Sequence, residues 1–171
     1  MNPATTRLYQ RVLQQATDTA TLAACGDETH ALRVERVSQW SVGQQLEHLA
    51  VVNLRITGKA MAEALKVPPQ HAHTSIALLG RAVLWTGYIP RGRGKAPEFS
   101  VPAAATPQSV RELVERYRDS VRALEPRLSE VEASAGRWPH PVLGTFSALQ
   151  WLHFIEVHTR HHLKIVRDIR A

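Results

Sequence analysis

The fold is decided by the stretch between residues 147 and 169, SALQWLHFIEVHTRHHLKIVRDI. It opens with a capping box, in which the Ser147 and Gln150 side chains each accept a hydrogen bond from a backbone amide left free at the helix start. The stretch therefore predicts a helix from 147 to about 169. Its bulky apolar side chains fall within one narrow stripe, which indicates a face packed into a core: Trp151, Ile155, Ile165 and Ile169.

Two histidines share that stripe. His158 and His162 are four residues apart, so a helix places them on one face, one above the other. A charged imidazole inside a bundle is costly unless it is paired, and one transition metal can serve both rings. Two core histidines that hydrogen-bond to neighbours are the alternative. Thr159 stands where the H-E-x-x-H motif of zinc proteases has its glutamate, so that mechanism lacks its general base.

His48 is the candidate for a third ligand. A second capping box at Ser41 and Gln44 predicts a helix from 41 to about 66, ended by Pro68 and Pro69. His48 lies on an apolar flank of this helix, which favours a buried position. Gln44 and Arg55 lie one and two turns away on the same side, so they are candidates for orienting an anionic substrate.

The remaining pattern predicts an all-α protein with one domain over residues 1–171. Apolar periodicity indicates helices over 5–25, 74–85 and from Thr106 to about Val131, the last with a cap at Thr106 and proline at its first position, and no strand is predicted. Residues 136–144 are predicted as a loop. Four long amphipathic helices favour a four-helix bundle, with 74–85 as an extra short helix and 88–107 as a long loop in the middle crossover.

Composition excludes several classes of function. A hydrophobic content of 44% with 21% charged residues is typical of a globular protein. The net charge of +6 is spread along the chain without interleaved aromatic residues, so we expect no specific nucleic-acid binding. No apolar run approaches the ~20 residues of a membrane span. Cys25 is alone and no secretory signal is recognisable, so we expect a cytoplasmic protein without disulfides.

The long crossover loop is a candidate for binding a substrate. It contains Arg91, Arg93 and Lys95 and is stiffened by four prolines. Loops of this length in compact domains are often functional, and three cations favour an anionic group such as a carboxylate. We therefore expect the segment 88–107 to border the histidines. A solvated connection without a role is the alternative.

Two segments resemble the ligand-bearing segments of the DinB-like superfamily. They are 40–49, WSVGQQLEHL, and 140–162, which ends in His-x-x-x-His. The loop 94–97, GKAP, resembles one subfamily whose function is not established. The resemblance implies a four-helix bundle with a divalent transition metal, such as zinc or nickel, held by His48, His158 and His162. Where many relatives have glutamine three residues after the last histidine, this chain has Ile165.

The resemblance implies a metal-dependent enzyme acting on a small molecule. Some relatives are transferases that use low-molecular-weight thiols, and others have been described as metal hydrolases. Glu47 and Glu156 both lie off the histidine faces, so a general base for hydrolysis is missing and thiol transfer is favoured. A non-enzymatic, metal-binding or stress-associated bundle is the alternative, and a closed structural site would need His161 or His140 as a fourth ligand.

A homodimer is also predicted. The first helix has a wide apolar stripe for an outer helix, and the family resemblance implies pairing. The stripe consists of Leu8, Tyr9, Val12, Leu13, Ala16 and Ala20.

Overall fold

The structure, a computed structural model, describes residues 2–67, 76–92, 96–103 and 105–171. Its main helices are α1 (Pro3–Ala23), α3 (Val42–Arg55), α6 (Pro107–Arg122) and α8 (Ala148–Arg170). α1 and α3 each pack against both α6 and α8. The all-α four-helix bundle predicted from the sequence is therefore confirmed.

Shorter elements join the four helices. α3 continues through a π-helical turn, Ile56–Ala60, into α4 (Met61–Lys66). α2 (Asp27–Ala31) precedes α3, and α5 (Leu78–Thr86) with a 3₁₀ turn, Glu98–Ser100, lies in the crossover between α4 and α6. α5 is the predicted short helix, although the first two residues of the predicted range, 74 and 75, lie outside the described residues.

The capping signals are confirmed at three helix starts. The Ser41–Gln44 and Ser147–Gln150 pairs form complete capping boxes. Thr106 accepts a hydrogen bond from the Ser109 amide at the start of α6, with proline at the first helical position. These side chains satisfy backbone donors that have no partner inside the helix, and each cap contributes roughly 0.5–2 kcal/mol. They fix where α3, α6 and α8 begin.

The predicted continuous helix from Thr106 to about Val131 is interrupted after Arg122. α6 ends at Arg122, a 3₁₀ turn occupies Glu125–Arg127, and α7 covers Leu128–Ala133. Pro126 lies inside the 3₁₀ turn, and because it has no amide hydrogen to donate, a continuous helix through it would cost about 3 kcal/mol. The apolar periodicity persists across the break because α7 also buries Leu128 and Val131.

A small β-hairpin replaces the loop predicted over 136–144. β1 (Arg137–His140) pairs antiparallel with β2 (Gly144–Ser147), and Gly144 has a φ of 86°, which favours glycine. Phe146 is fully buried, so packing of this strand against the bundle stabilises the hairpin. A strand of four residues containing Pro139 has too little periodicity to be predicted.

The interior of the bundle is apolar and closely packed. Val12, Leu46, Val114 and Leu152 come one from each main helix, and all four are fully buried. Burial of each such side chain contributes about 1.5–3 kcal/mol, so the core stabilises the bundle independently of any metal. In the part of the chain that the structure describes, no helix combines the length and the apolar character needed to cross a membrane.

The apolar stripe of α1 packs inside the protein. Leu8, Tyr9, Val12, Ala16 and Ala20 are all buried within the single chain. The stripe is therefore wrong as a reason to expect a homodimer, and the homodimer itself stays a prediction. The large apolar side chains that remain exposed include Leu78 and Trp85 on α5, which are 82% and 89% exposed.

A substitution at Gly80 tests the packing of α5 on the hairpin. A Cβ atom at Gly80 would overlap the backbone oxygen of Leu143, so Gly80→Ala must displace the hairpin turn. We expect a loss of about 1–3 kcal/mol in the free energy of unfolding, measured with urea. Gly58→Ala is the matched control, because nothing lies within 4 Å of its Cβ position. Equal losses in both variants would contradict this packing.

Candidate metal centre

Three imidazoles come together between α3 and α8. His48 is on α3, and His158 and His162 are on α8. One ring nitrogen from each can be chosen so that all three lie within 4.8 Å of one another. The ring centroids are 4.6 Å apart for His158 and His162, 4.7 Å for His48 and His162, and 5.3 Å for His48 and His158. This convergence is what the i,i+4 spacing and the buried position of His48 predicted.

The three rings are buried and neutral. Their residues are 5–7% exposed. Burial lowers the pKa of His158 and His162 well below the ordinary value, and the neighbouring histidines lower it further. Burial also lowers the pKa of His48, against a smaller opposing effect of its hydrogen bond to Ser100. A neutral imidazole is the form that binds a metal, so protons compete weakly for these nitrogens at pH 7.

Each of the three histidines has its Nδ1 atom next to an oxygen. His48 Nδ1 is 2.7 Å from the Ser100 carbonyl oxygen, His158 Nδ1 is 3.3 Å from Asn53 Oδ1, and His162 Nδ1 is 2.6 Å from Gln45 Oε1. A carbonyl oxygen can only accept, so each Nδ1 carries the hydrogen and donates it. In a neutral ring this leaves the lone pair on Nε2, which is the atom available to a metal.

The Asn53 side chain is held from its other end. Its Nδ2 donates to Thr159 Oγ1 at 2.9 Å, and Tyr117 Oη lies 3.4 Å from the same hydroxyl. Burial raises the pKa of Tyr117 to about 12, so its hydroxyl stays protonated at neutral pH. This uncharged network directs Asn53 Oδ1 toward His158.

The donor set fits a divalent transition metal. Three neutral imidazoles, each with a hydrogen-bonded Nδ1, are the ligand type and support that zinc and nickel accept. Among the described residues, the group able to hold a metal contains these three histidines and no carboxylate. The cluster could therefore bind a metal ion, and three ligands would leave a coordination position open.

The predicted substrate-binding residues lie in different surroundings. Gln44 Oε1 accepts from the Ser41 amide at 2.9 Å as part of the cap. The exposed Arg55 lies over the ring of Phe99, 4.3 Å from its centroid, and Arg91 forms an ion pair with Asp168 at 2.7 Å. The further two predicted cations, Arg93 and Lys95, lie outside the described residues. Contact of these five residues with a substrate stays a prediction.

The two candidates for a fourth ligand are held elsewhere. His140 Nδ1 accepts from the backbone amides of Val142 and Leu143, each at 3.2 Å, and burial lowers the pKa of His140 to about 4. His161 packs edge-on against His162 and hydrogen-bonds to the backbone of Ile89. Neither belongs to the group of three that could hold a metal.

Both nearby glutamates also have other partners. Glu47 is 7% exposed, and its two oxygens accept from the Ala103 amide at 2.9 Å and the Ala105 amide at 3.3 Å. Glu156 is 4% exposed; one of its oxygens lies 3.4 Å from Arg160 on α8, and the other accepts from Gln15 Nε2 on α1 at 3.4 Å. Each carboxylate is therefore engaged away from the histidines.

Sequence reasoning missed the residues that hold the three imidazoles. Gln45 had a usable signal, because it is three residues before His48 and a helix places the two on one side. Asn53 is a polar residue in an otherwise apolar turn of α3, which is a weaker signal. Ser100 acts through its backbone carbonyl, so its side-chain identity carries no information about the contact.

A family model described as the DinB superfamily matches residues 5–166. The match spans nearly the whole chain, and it includes both segments that carry the three histidines. The chain therefore belongs to the DinB superfamily. Neither the curated proteins nor the solved structures contain a match to it.

The lowered pKa values predict how the metal-free protein responds to acid. The pKa of a histidine is about 6.5 in an unfolded chain and lower here for His48, His158, His162 and His140. Below pH 6.5 the unfolded chain therefore binds more protons than the folded protein does. The free energy of unfolding is highest above that pH and falls as the pH drops toward the pKa values of the folded-state histidines.

Urea unfolding between pH 7.5 and pH 5.5 in the presence of a chelator measures this effect. We expect stability to decrease with acid, and the decrease to be shallower in His162→Leu because one buried imidazole is removed. A wild-type stability that is flat or rises over this range would show that the imidazoles are not buried in neutral form.

Proposed function

We propose that this protein is a divalent-metal-dependent enzyme that acts on a small molecule, and that it is a thiol-dependent transferase. The observation that carries the proposal is the convergence of three buried, neutral imidazoles whose Nδ1 atoms are all tied to oxygen acceptors. Core histidines that bind no metal each need a hydrogen-bond acceptor for the ring N–H. They have no need to converge in a group of three in which the Nε2 atom of every ring is available to a metal. That combination favours a metal.

The chain supplies a rigid, largely apolar frame for the reaction. Trp40 packs on His48 with ring centroids 4.9 Å apart, and Phe154 stacks on His158 at 5.6 Å. These rings exclude water from two sides and fix the imidazole planes. When bound, a divalent metal at the three histidines supplies an open position that stabilises a thiolate or polarises an oxygen.

The partners of the glutamates favour thiol transfer over hydrolysis. Activation of water benefits from a general base within hydrogen-bond reach of the proton. Glu47 is engaged with two backbone amides of the crossover, and Glu156 faces α1. A low-molecular-weight thiol brings its own nucleophile and needs no carboxylate base. Metal-dependent hydrolysis is therefore the second enzymatic candidate.

A non-enzymatic, metal-binding or stress-associated bundle is the remaining alternative. Structural zinc sites are almost always closed by four protein ligands. Here His140 and His161 are held by other contacts, so a fourth protein ligand would require one of them to move. This arrangement supports an open site and hence an enzyme.

The substrate is proposed to have an anionic group. Arg55 and Gln44 on α3 and the loop cations Arg91, Arg93 and Lys95 are the proposed binding residues. Arg91 is paired with Asp168 at the surface, so it would have to exchange this partner for the substrate. In the part of the chain that the structure describes, the exposed Arg55 lies over the ring of Phe99 and pairs with no carboxylate, so it would not have to give up an acidic partner.

Three further features belong to the proposal. The metal is a divalent transition metal, with zinc and nickel as candidates because both accept three imidazoles. The protein works in the cytoplasm, which is consistent with its single, unpaired Cys25. It forms a homodimer, the commonest oligomer.

Substitution of one ligand tests the metal site. We expect His158→Ala to lower metal content at least about tenfold, because one of three ligands is lost, while circular dichroism shows an intact helical fold. His153→Ala is the matched control on the same helix, since His153 lies outside the cluster. Elemental analysis of both purified variants makes the comparison. Unchanged metal content in His158→Ala would remove the basis of the proposal.

A thiol-transfer assay with the same proteins tests the reaction class. A panel of low-molecular-weight thiols is incubated with a chromogenic electrophile, and thiol consumption is followed. We expect turnover with the metal-loaded wild type and His153→Ala, and a loss in His158→Ala and in the metal-free protein. A protein that binds metal tightly but gives no metal-dependent turnover with any thiol would favour the non-enzymatic alternative.

A further inference from the structure

Glu47 is a buried carboxylate that the proposed reaction does not use. It lies on α3 directly before the candidate ligand His48 and is 7% exposed. Burying a carboxylate is costly unless it is hydrogen-bonded. Its partners are the backbone amides of Ala103 and Ala105, in the crossover that leads into α6.

The same crossover also holds His48. The Ser100 carbonyl oxygen accepts from His48 Nδ1 at 2.7 Å, and Ser100 is 2% exposed. A 3₁₀ turn fixes this carbonyl, because both the amide and the hydroxyl of Ser100 donate to the Pro97 carbonyl oxygen at 2.8 Å. Two consecutive residues of α3 therefore bind one short segment of the crossover. Glu47 accepts from backbone amides of this segment, and His48 donates to one of its carbonyl oxygens.

The consequence for His48 is a choice of tautomer. While the Ser100 carbonyl is in place, Nδ1 must carry the hydrogen and Nε2 is free for a metal. Without that acceptor the hydrogen can move to Nε2, and the ring can turn away from His158 and His162. The contacts of Glu47 hold the crossover against α3 and so keep the Ser100 carbonyl beside His48. The Glu47 carboxylate therefore influences the tautomer and orientation of the His48 ring indirectly, through the crossover.

We infer that Glu47 is a positioning residue that docks the crossover on α3, so that metal binding at His48 and docking of the described crossover residues 98–103 and 105 strengthen each other. The inference rests on the proposed metal-dependent function. By linkage, the factor by which docking raises metal affinity equals the factor by which metal stabilises the docked segment. The segment also carries Phe99, which lies on Arg55, so docking sets one side of the proposed substrate site.

The first test measures metal affinity and exchange in the same proteins. We expect Glu47→Ala to weaken Zn²⁺ binding about tenfold in chelator competition, which is the usual size of an effect on a ligand's hydrogen-bond partner. In the wild type, Zn²⁺ should slow hydrogen exchange of the amides of residues 100, 101, 103 and 105 by a similar factor. In Glu47→Ala this metal-induced slowing should be lost.

Glu156→Ala is the matched control. Glu156 is a similarly buried glutamate on α8, but among the described residues its carboxylate is paired with Arg11 and Gln15 on α1 and with Arg160, and not with residues 98–105 or with His48, His158 and His162. Its removal also destabilises the fold, yet Zn²⁺ affinity and metal-induced protection of the crossover should stay at the wild-type level. Equal losses in both variants would show that Glu47 has a general structural role, and would overturn the inference.

Two further measurements cover the other outcomes. If Glu47→Ala does not fold, Glu47→Gln keeps one acceptor for the Ala103 amide, and it should lose part of the affinity and part of the protection. If the wild type binds no metal, the proposed function fails, but ¹⁵N NMR still tests the docking. His48 should then be protonated at Nδ1 in the wild type, and this preference should fall in the Glu47 variant. A His48 tautomer that is the same in both would contradict the inference.

Discussion

The site depends on the burial of three imidazoles that must stay neutral and keep one nitrogen free. A buried polar ring without a partner costs free energy, so each Nδ1 needs an acceptor. The three acceptors come from different places: the Gln45 and Asn53 side chains on α3, and the Ser100 carbonyl in the crossover. Because all three acceptors bind the Nδ1 hydrogen, the Nε2 atom of each ring is left free, and this shared arrangement is what makes the cluster a candidate metal site.

Supporting contacts extend this constraint through the bundle. Asn53 is held by Thr159 on α8, which in turn contacts Tyr117 on α6, so three main helices meet in one polar network beneath the histidines. The π-helical turn follows directly, and Thr57 within it donates to the Asn53 carbonyl oxygen at 3.1 Å. Such turns are frequent at functional sites. The apolar core supplies the stability, while this network sets the orientation of the ligands.

Most of the fold could be predicted because its signals are local. The caps at Ser41, Thr106 and Ser147 act within one turn, and apolar periodicity marks which helix faces are buried. The break at Pro126 and the hairpin over residues 137–147 were missed for a physical reason. Apolar periodicity continues across the break at Pro126, and the hairpin is stabilised by the burial of Phe146 rather than by strand propensity. The apolar face of α1 was predicted correctly, but it was assigned to contact with a second protomer, whereas α6 and α8 of the same chain cover it. Periodicity shows that a face is apolar and does not show which element packs on it.

The candidate site could be predicted as far as its three histidines. His158 and His162 share a stripe through helix geometry alone, and His48 was found from its apolar neighbours and the family resemblance. The hydrogen-bond acceptors of the Nδ1 atoms could be identified only from the tertiary structure. Ser100, for example, is 52 residues from His48 and accepts through its backbone carbonyl. The substrate residues are hardest, because surface cations such as Arg91 can pair with neighbouring acids such as Asp168.

The central claim is that His48, His158 and His162 hold one divalent metal through Nε2. A crystal structure of the zinc-loaded protein, with anomalous diffraction recorded at the zinc absorption edge, tests it most directly. We expect one dominant anomalous peak at about 2.0–2.1 Å from the Nε2 atoms of all three histidines, with Nδ1 of each still donating to its oxygen. A peak at any other place, or zinc bound to Nδ1 with those hydrogen bonds broken, would contradict it.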